Sequence, residues 1–483
     1  MRGDAMRDRV QFILLAFGIM LVLALFLWVE QSPHLFANTT YLGAILALQI
    51  ALLGLSHFEE MFFPLLMGSF LWAGSLLPFY GVGMSLRWLF LGVGASGGFV
   101  IWMKSPRVQH FKAFHLVALF CVVSALVSAM VSEVPRTALL KVASLFLLFL
   151  YASAGARVAV VGREQKFLHG LVLACEVLVY VSAVCYFALG YQVFGNPNSL
   201  GAIIAIAAVP ILLWAATVAE TRGLRQRRFF SLALCGGLLY LANSRASILG
   251  AAVIVVLFTV ALRRQRLLLQ CAFVSIFFLT VMAVVNPSHM DEMVSSLTGR
   301  VLYKEAGTHH GLFGSRLSPW TDTLSVVKRH PWFGSGFGTS ELGEYRPDLA
   351  ESAIYTKEGT NREHGNSYLA LAEYMGLLGS APFVILLLMI VRVAVRVFSW
   401  MRRTGNPFAP GVPFVLVAIA GLVHACFEDW LFAVGSYLCV FFWVSIFVLM
   451  DLRPDAEPKS SPAVFQRRPV GVASIPTAAP SLR

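Results

Sequence analysis

The chain carries little charge for its length. Of its 483 residues only 13% are charged, whereas 58% are hydrophobic and the mean hydropathy is +0.75. A soluble globular protein carries about 25% charged residues, so this composition excludes that class. Apolar runs of about 18–20 residues recur along the chain, which is the length an α-helix needs to cross a bilayer. The composition therefore predicts a polytopic membrane protein.

Metal-binding and disulfide patterns are also missing. The seven cysteines all lie in apolar segments and include no C-x-x-C pair, which indicates neither a disulfide framework nor a zinc site. The adjacent His309 and His310 lack the spacing of metal ligands, so we predict no metal. The strand–turn alternation of a membrane β-barrel is absent as well, and the amides of a membrane span must be paired internally. We therefore predict an all-α fold, a polytopic transmembrane helical bundle.

Hydrophobic segments divide the chain into about 12–14 predicted spans. We place them at residues 11–29, 41–55, 61–80, 86–103, 111–130, 137–154, 168–189, 198–219, 229–242, 246–262, 267–286, 367–396, 411–426 and 430–450. The predicted regions are N-terminal spans (1–286), one long hydrophilic loop (287–363), C-terminal spans (364–451) and a disordered tail (452–483).

Basic residues predict the orientation of these spans. Clusters such as "RGLRQRR" (222–228) and "RRQR" (263–266) fall on one side of the membrane when the spans are counted. By the positive-inside bias this side is cytoplasmic, as are both termini, and the long loop faces outward. The same bias explains most of the net charge of +12. We therefore predict contact with membrane lipids and no nucleic-acid partner.

The long loop contains a predicted amphipathic helix within "SRLSPWTDTLSVVKRHPWFGSGFG" (315–338). Ser318 followed by Pro319 has the pattern of an N-cap with proline at the first helical position. Three apolar residues then follow at helical spacing: Trp320, Leu324 and Val327. Pro331 and the glycines after it predict the end of the helix. We expect this helix to lie on the membrane surface.

Outward-facing arginines are candidates for binding an anion. Arg245, in "ANSRASILG", lies in a short break between two hydrophobic segments, where the positive-inside bias disfavours a basic residue. It is either an arginine that reaches the headgroup region or an anion-binding arginine in a cavity. Arg316 is either a solvated loop charge or a second binding group, and Arg362 is a weaker candidate of the same kind.

His364 is the candidate general base, because neutral imidazole can take a proton from a hydroxyl near neutral pH. Asn366 follows two residues later, and Glu373 lies about two helical turns further along the same face. A structural role for this histidine is the alternative. Glu373 either pairs with an arginine or complements the helix dipole.

Two further polar positions stand out. Asn198, in "NPNSLG" (196–201), either contacts a ligand or belongs to a turn that starts a helix. Glu176 lies midway along a predicted span, and its position indicates either a functional or a tightly paired carboxylate.

The order of these motifs resembles the O-antigen ligase and polymerase superfamily of bacterial envelope glycosyltransferases. "SRAS" follows a short span, "SRLSPW…HPWFGSGFG" lies in the long outward loop, and "HGNSYLALAEYMGLLG" leads into a span. The resemblance covers roughly residues 190–400. It implies a multi-pass enzyme of the inner membrane, with a periplasmic active site and the helical fold of lipid-linked-sugar glycosyltransferases.

This resemblance implies a reaction and its residues. Such enzymes move a glycan from undecaprenyl pyrophosphate to an acceptor hydroxyl without a cofactor or a required metal. The acceptor is lipid A-core or another glycan. His364 matches the catalytic histidine of the family, and Arg245 and Arg316 match its pyrophosphate-binding arginines. Guanidinium groups suit this role because they bind phosphate oxygens in pairs and stay charged.

Three functions remain open from the sequence. The first is an O-antigen ligase, and the second is a polymerase of lipid-linked O-antigen or exopolysaccharide repeat units. Both use the same donor chemistry, and the ligase is slightly favoured. The third, from another class, is a flippase for lipid-linked sugars or a secondary transporter, although no internal repeat of the transporter kind is visible.

Overall fold

The computed structural model describes residues 59–105, 111–194, 196–266, 314–342 and 362–454, with residues 269, 270 and 273. Its helices, in chain order, are α1 (Glu59–Ala73), α2 (Tyr80–Lys104), α3 (Ala113–Met130), α4 (Pro135–Val160), α5 (Glu164–Leu189), α6 (Pro197–Thr217), α7 (Arg222–Ala242), α8 (Arg245–Ala261), α9 (Gly314–Arg329), α10 (Ser367–Thr404), α11 (Val412–His424) and α12 (Tyr437–Leu452). No strand occurs among these residues, so the predicted all-α class is confirmed.

Six of the described helices, α2 to α6 and α10, are long and apolar enough to cross a membrane. Shorter apolar helices include α8, α11 and α12. The predicted spans 11–29 and 41–55 lie outside the described residues, as does nearly all of 267–286. Helix α7 begins at Arg222, earlier than the predicted span 229–242, because arginine is a good helix former and extends the helix beyond its apolar part.

Two predicted spans have wrong ends. The span predicted at 61–80 stops at Ala73, where the hydroxyl of Ser75 bonds to the Trp72 carbonyl at 2.9 Å in a turn. The span predicted at 430–450 begins only at Tyr437. The preceding residues are apolar and buried, but they form turns packed between helices. Hydropathy alone does not separate a buried turn from a helix.

Helix α6 lies at the centre of the described bundle. Other helices bury 89% of its apolar window, whereas they bury only 33% of the corresponding window of α10. The exposed face of α10 carries leucine and valine side chains such as Leu377, Leu388 and Val395. In a membrane this face contacts lipid, so the apolar exposure is that of a peripheral span.

Helix α10 is broken at Gly376, where φ is +64° and ψ is −171°. The segment after α9 docks in this break and replaces the missing helical hydrogen bonds. Amides of the helix donate to this segment, from Leu377 to Pro331 at 2.7 Å and from Leu378 to Trp332 at 3.1 Å. In the other direction the amide of Ser335 donates to the Glu373 carbonyl at 2.9 Å. The break therefore fixes the segment after α9, which is predicted to face outward, against the short first part of α10.

The amphipathic helix of the loop differs from its prediction at its start. Helix α9 begins at Gly314, and Pro319 lies inside it, so Ser318 is not an N-cap. Pro319 is the sixth residue of α9, so it removes one early hydrogen bond of the helix. The buried face is formed by Thr323 and Val326, both 0% exposed, while Leu324 is 46% exposed. The predicted end is confirmed, since α9 stops at Arg329.

Ion pairs with at least one buried partner join helix α5 to helix α7 and helix α4 to helix α12. Glu176 of α5 is 2% exposed and pairs with the guanidinium of Arg227 on α7, with one contact at 3.1 Å. Arg157 of α4 is 0% exposed and binds both carboxylate oxygens of Asp451 on α12. Glu176 is therefore a paired carboxylate, which is one of the two predicted alternatives.

Candidate functional site

One end of the bundle, which the sequence predicts to face outward, is assembled where α10, α11 and α12 meet. The loop between α11 and α12 approaches the start of α10, since the Ser367 amide donates to the Ala425 carbonyl at 2.9 Å. The Ser367 hydroxyl donates to the Glu428 carbonyl at 2.6 Å. Asn366 caps α10, because its side-chain oxygen accepts from the amides of Tyr368 and Leu369. His364 is thereby held directly in front of the capped helix.

His364 is 0% exposed, and Asp429 holds it by two contacts. The Asp429 carboxylate accepts from the His364 backbone amide at 2.9 Å and from ring Nδ1 at 3.1 Å. Since a carboxylate can only accept, Nδ1 carries a proton and Nε2 is the nitrogen available to a substrate. The Tyr374 ring packs edge-on against the imidazole, with centroids 5.1 Å apart.

Glu373 faces the other ring nitrogen. Its carboxylate lies 3.3 Å from Nε2 of His364, an ion-pair distance without hydrogen-bond alignment. The same oxygen accepts from the Arg362 guanidinium at 3.1 Å. Arg362 also donates to the Pro319 carbonyl of α9 at 3.1 Å. The predicted residues Arg362, His364 and Glu373 therefore form one buried cluster.

These carboxylates set the protonation of His364. Burial favours the neutral ring, but the hydrogen bond to Asp429 and the nearby charge of Glu373 outweigh it, so the pKa of His364 is raised. Burial likewise favours protonated Asp429, but its hydrogen bonds with His364 prevail and the pKa of Asp429 is lowered. The two carboxylates thus favour the charged imidazole, which becomes a base only when it loses its proton.

Arg316 lies at the edge of this cluster. Its guanidinium donates to Glu428 at 2.6 Å and to Glu363 at 3.1 Å. It also packs against Gly365, where an added Cβ would lie 2.6 Å from Nη1 and where φ is +63°. The glycine of "HGN" is therefore required, because a side chain at this position would collide with Arg316. Burial raises the pKa of Glu428, and the charge of Arg316 opposes this effect.

Arg245 begins α8 at the same end of the bundle. The hydroxyl of Ser247, two residues later, lies 3.2 Å from Nε2 of His424, the last residue of α11. The next residue of the chain, Ala425, binds the start of α10. Arg245 and His364 consequently lie at one end of the helix bundle.

Two predicted binding residues, Asn366 and Asn198, mainly form the starts of helices. The side-chain oxygen of Asn366 is occupied by the helix cap described above. Asn198 lies in the first turn of α6, and its backbone amide donates to the side chain of Asn196 at 2.9 Å. Asn198 therefore belongs to a turn that starts a helix, which is one of its two predicted alternatives.

Residues from the last part of the chain complete the site, and the sequence motifs missed them. Asp429 and Glu428 hold His364 and Arg316, yet they lie about 65 residues beyond the histidine motif. Their only signal was the acidic pair in "FEDW" (427–430), placed between two apolar segments. Acidic residues in such a position are functional or paired more often than not.

The fold and the site together define a multi-pass membrane protein with a buried histidine, arginines and carboxylates at one end. Residues 230–384 match the family model described as O-antigen ligase. The chain therefore carries a domain of the O-antigen ligase and polymerase superfamily. This match contains Arg245, Arg316, Arg362, His364 and Glu373. No curated protein matches the chain.

The family match defines the activity at a coarse level. It supports a membrane enzyme of the glycosyltransferase type that carries out O-antigen ligase-like glycan transfer. The substrates of such an enzyme are, in general, a lipid-linked glycan and a glycan acceptor. Among the described residues, no group of three or more His, Cys, Asp or Glu side chains has the geometry of a metal site.

Proposed function

We propose that this protein is an O-antigen ligase that transfers a glycan from undecaprenyl pyrophosphate to an acceptor hydroxyl, such as one on lipid A-core. In this proposal the protein lies in the inner membrane with both termini cytoplasmic, and transfer takes place at the periplasmic face. The observation that supports it best is the position of His364, buried between Asp429 and Glu373 beside two arginines.

The leaving group of this reaction is a pyrophosphate. As the bond between the anomeric carbon and the phosphate oxygen breaks, the electron pair stays on that oxygen and negative charge develops there. Arg245 and Arg316 can stabilise this charge by donating hydrogen bonds to phosphate oxygens. Arg316 is held by carboxylates in the free protein, and the more highly charged pyrophosphate competes with Glu363, whose side chain is 66% exposed.

The acceptor hydroxyl attacks the opposite face of the anomeric carbon, which gives inversion. Its proton passes to Nε2 of His364, while Asp429 keeps the other ring nitrogen protonated and fixes the orientation of the ring. Glu373 has to leave Nε2 when the hydroxyl arrives. Glu373 then stays paired with Arg362, which it already contacts in the free protein.

The test is transfer by purified protein in detergent, with a synthetic undecaprenyl-pyrophosphate glycan and an acceptor. We expect His364→Ala and Arg245→Ala to lower transfer by at least about 1,000-fold while the protein remains in the membrane, since each removes a group used in the transition state. Matched controls are His169→Ala and Arg222→Ala, both at exposed positions of other helices. Full activity in both site variants would exclude this function.

The same assay distinguishes the alternatives. Product formed in detergent, where no compartments exist, excludes a flippase or secondary transporter as the primary function. Incubation with lipid A-core or with a second lipid-linked repeat unit then separates a ligase from a polymerase. Elongation of the lipid-linked glycan without transfer to lipid A-core would favour the polymerase.

A further inference from the structure

A second buried histidine, His424, lies between the two halves of the site. It is 1% exposed, and each ring nitrogen has a partner. Nδ1 accepts from the indole Nε1 of Trp430 at 2.9 Å, and Nε2 lies 3.2 Å from the hydroxyl of Ser247. That hydroxyl lies 2.8 Å from the hydroxyl of Ser244. All three partners are buried, with exposures between 0% and 6%.

The direction of these hydrogen bonds follows from their chemistry. An indole nitrogen can only donate, so Nδ1 of His424 must accept and the ring proton lies on Nε2. Nε2 then donates to Ser247, whose own hydrogen is free to point at Ser244. The hydrogen bonds thus form one row that runs in a single direction, from the Trp430 indole through His424 and Ser247 to Ser244. Breaking one hydrogen bond of this buried row lowers the stability of the fold, because it leaves a polar group without a partner.

The row connects two parts of the site that are distant in sequence. At one end Ser244 directly precedes Arg245 and marks the start of α8. At the other end Trp430 directly follows Asp429, which holds His364. His424 thus joins the helix end that carries the arginine to the loop that carries the carboxylate. A misplacement of about 1 Å between catalytic groups can cost about 100-fold in rate.

We propose that His424 is a positioning residue that sets the distance between Arg245 and the His364–Asp429 pair. This inference rests on the proposed function, because the distance matters only if both groups act on one substrate. His424 does not touch the substrate in this proposal. Its effect on transfer passes through Ser247 on one side and Trp430 on the other.

The experiment compares His424→Leu with His424→Gln in the full-length protein, using the detergent assay. Leucine fills the site without polar groups, whereas the glutamine amide offers an acceptor and a donor at about the separation of the two ring nitrogens. We expect His424→Leu to lower kcat about 10- to 100-fold with a smaller change in the donor KM. We expect His424→Gln to retain activity within about fivefold of the wild type.

Trp430→Phe provides the second variant, because it removes the indole donor and keeps a smaller aromatic ring at this buried position. The double variant with His424→Leu should lose no more activity than His424→Leu alone, since both changes interrupt one row. Unchanged kcat in His424→Leu, or an equal loss in His424→Gln, would overturn the positioning role. Absence of transfer by the wild-type protein would instead refute the proposed function, so the two failures are distinct.

Discussion

His364 has a carboxylate beside each ring nitrogen, and this determines the pH at which it can act as a base. Its pKa is raised, so the ring is charged below that pKa and cannot accept a proton. The rate of transfer should therefore increase as the pH rises through the raised pKa. A histidine without acidic neighbours would reach its basic form at lower pH.

Asp429→Asn tests this dependence. The amide removes one negative charge beside the ring, so we expect the rising part of the pH profile to shift to lower pH. We also expect kcat to fall by about 100- to 10,000-fold, because an amide no longer selects the tautomer with a free Nε2. The measurement is kcat against pH between about 5 and 9. Glu341→Gln, beside the exposed His330 outside the site, is the matched control. An unshifted profile would contradict the role of Asp429.

At the scale of single residues, the sequence predicted one half of the site. One motif contains Arg316, and a second motif contains Arg362, His364 and Glu373. The structure brings these residues together. Asp429 comes from another segment, and no pattern in a single sequence connects it with His364. Its place beside the ring depends on how α10 and α12 pack.

At the scale of helices, the break in α10 is the feature that the hydrophobic pattern could not predict. The segment 367–396 is apolar over most of its length, and Gly376 is one of two glycines in it. What ends the helix there is the docked segment after α9, whose carbonyls accept from the amides of Leu377 and Leu378. A contact with a distant segment thus overrides local helical preference.

Gly376→Ala should therefore destabilise the outward end of the protein. An added Cβ would lie 2.5 Å from the Trp332 backbone, and the positive φ is strained for alanine. We expect a loss of roughly 1–3 kcal/mol from the backbone strain alone. Thermal unfolding in detergent measures this loss. Gly236→Ala is the control, because nothing lies within 4 Å of its added Cβ, and we expect it to be neutral or slightly stabilising. Equal stability of the two variants would contradict the proposed docking.

At the scale of the whole molecule, composition and basic loops predicted the class and the orientation. The apolar runs were sufficient for the all-α membrane class, because helices and closed barrels alone satisfy the backbone in lipid and the strand alternation of a barrel is absent. They were insufficient for the packing order, in which α6 is central and α10 peripheral. Both helices contain a long window of the same mean hydropathy, 2.3, so the burial of that window is decided by neighbours and not by its own composition.

The orientation can be tested by thiol labelling on intact cells. Glu363→Cys places a thiol at the outward end, where the native side chain is 66% exposed. Arg225→Cys places one at the exposed start of α7. We expect a membrane-impermeant maleimide to label position 363 in intact spheroplasts and position 225 only after lysis. The unmodified chain measures the background from its seven native cysteines. The reverse pattern would contradict the predicted topology.

The docking of the outward segment into α10 limits how the protein can change in length. Because Pro331, Trp332 and Ser335 each pair with a fixed position of the helix, one inserted residue between them would shift every later pairing. Natural variants and engineered insertions should therefore avoid this stretch, which makes it a poor place for an epitope tag. A label at this face is better attached to an exposed residue such as Leu342, which lies beyond the last of these pairings.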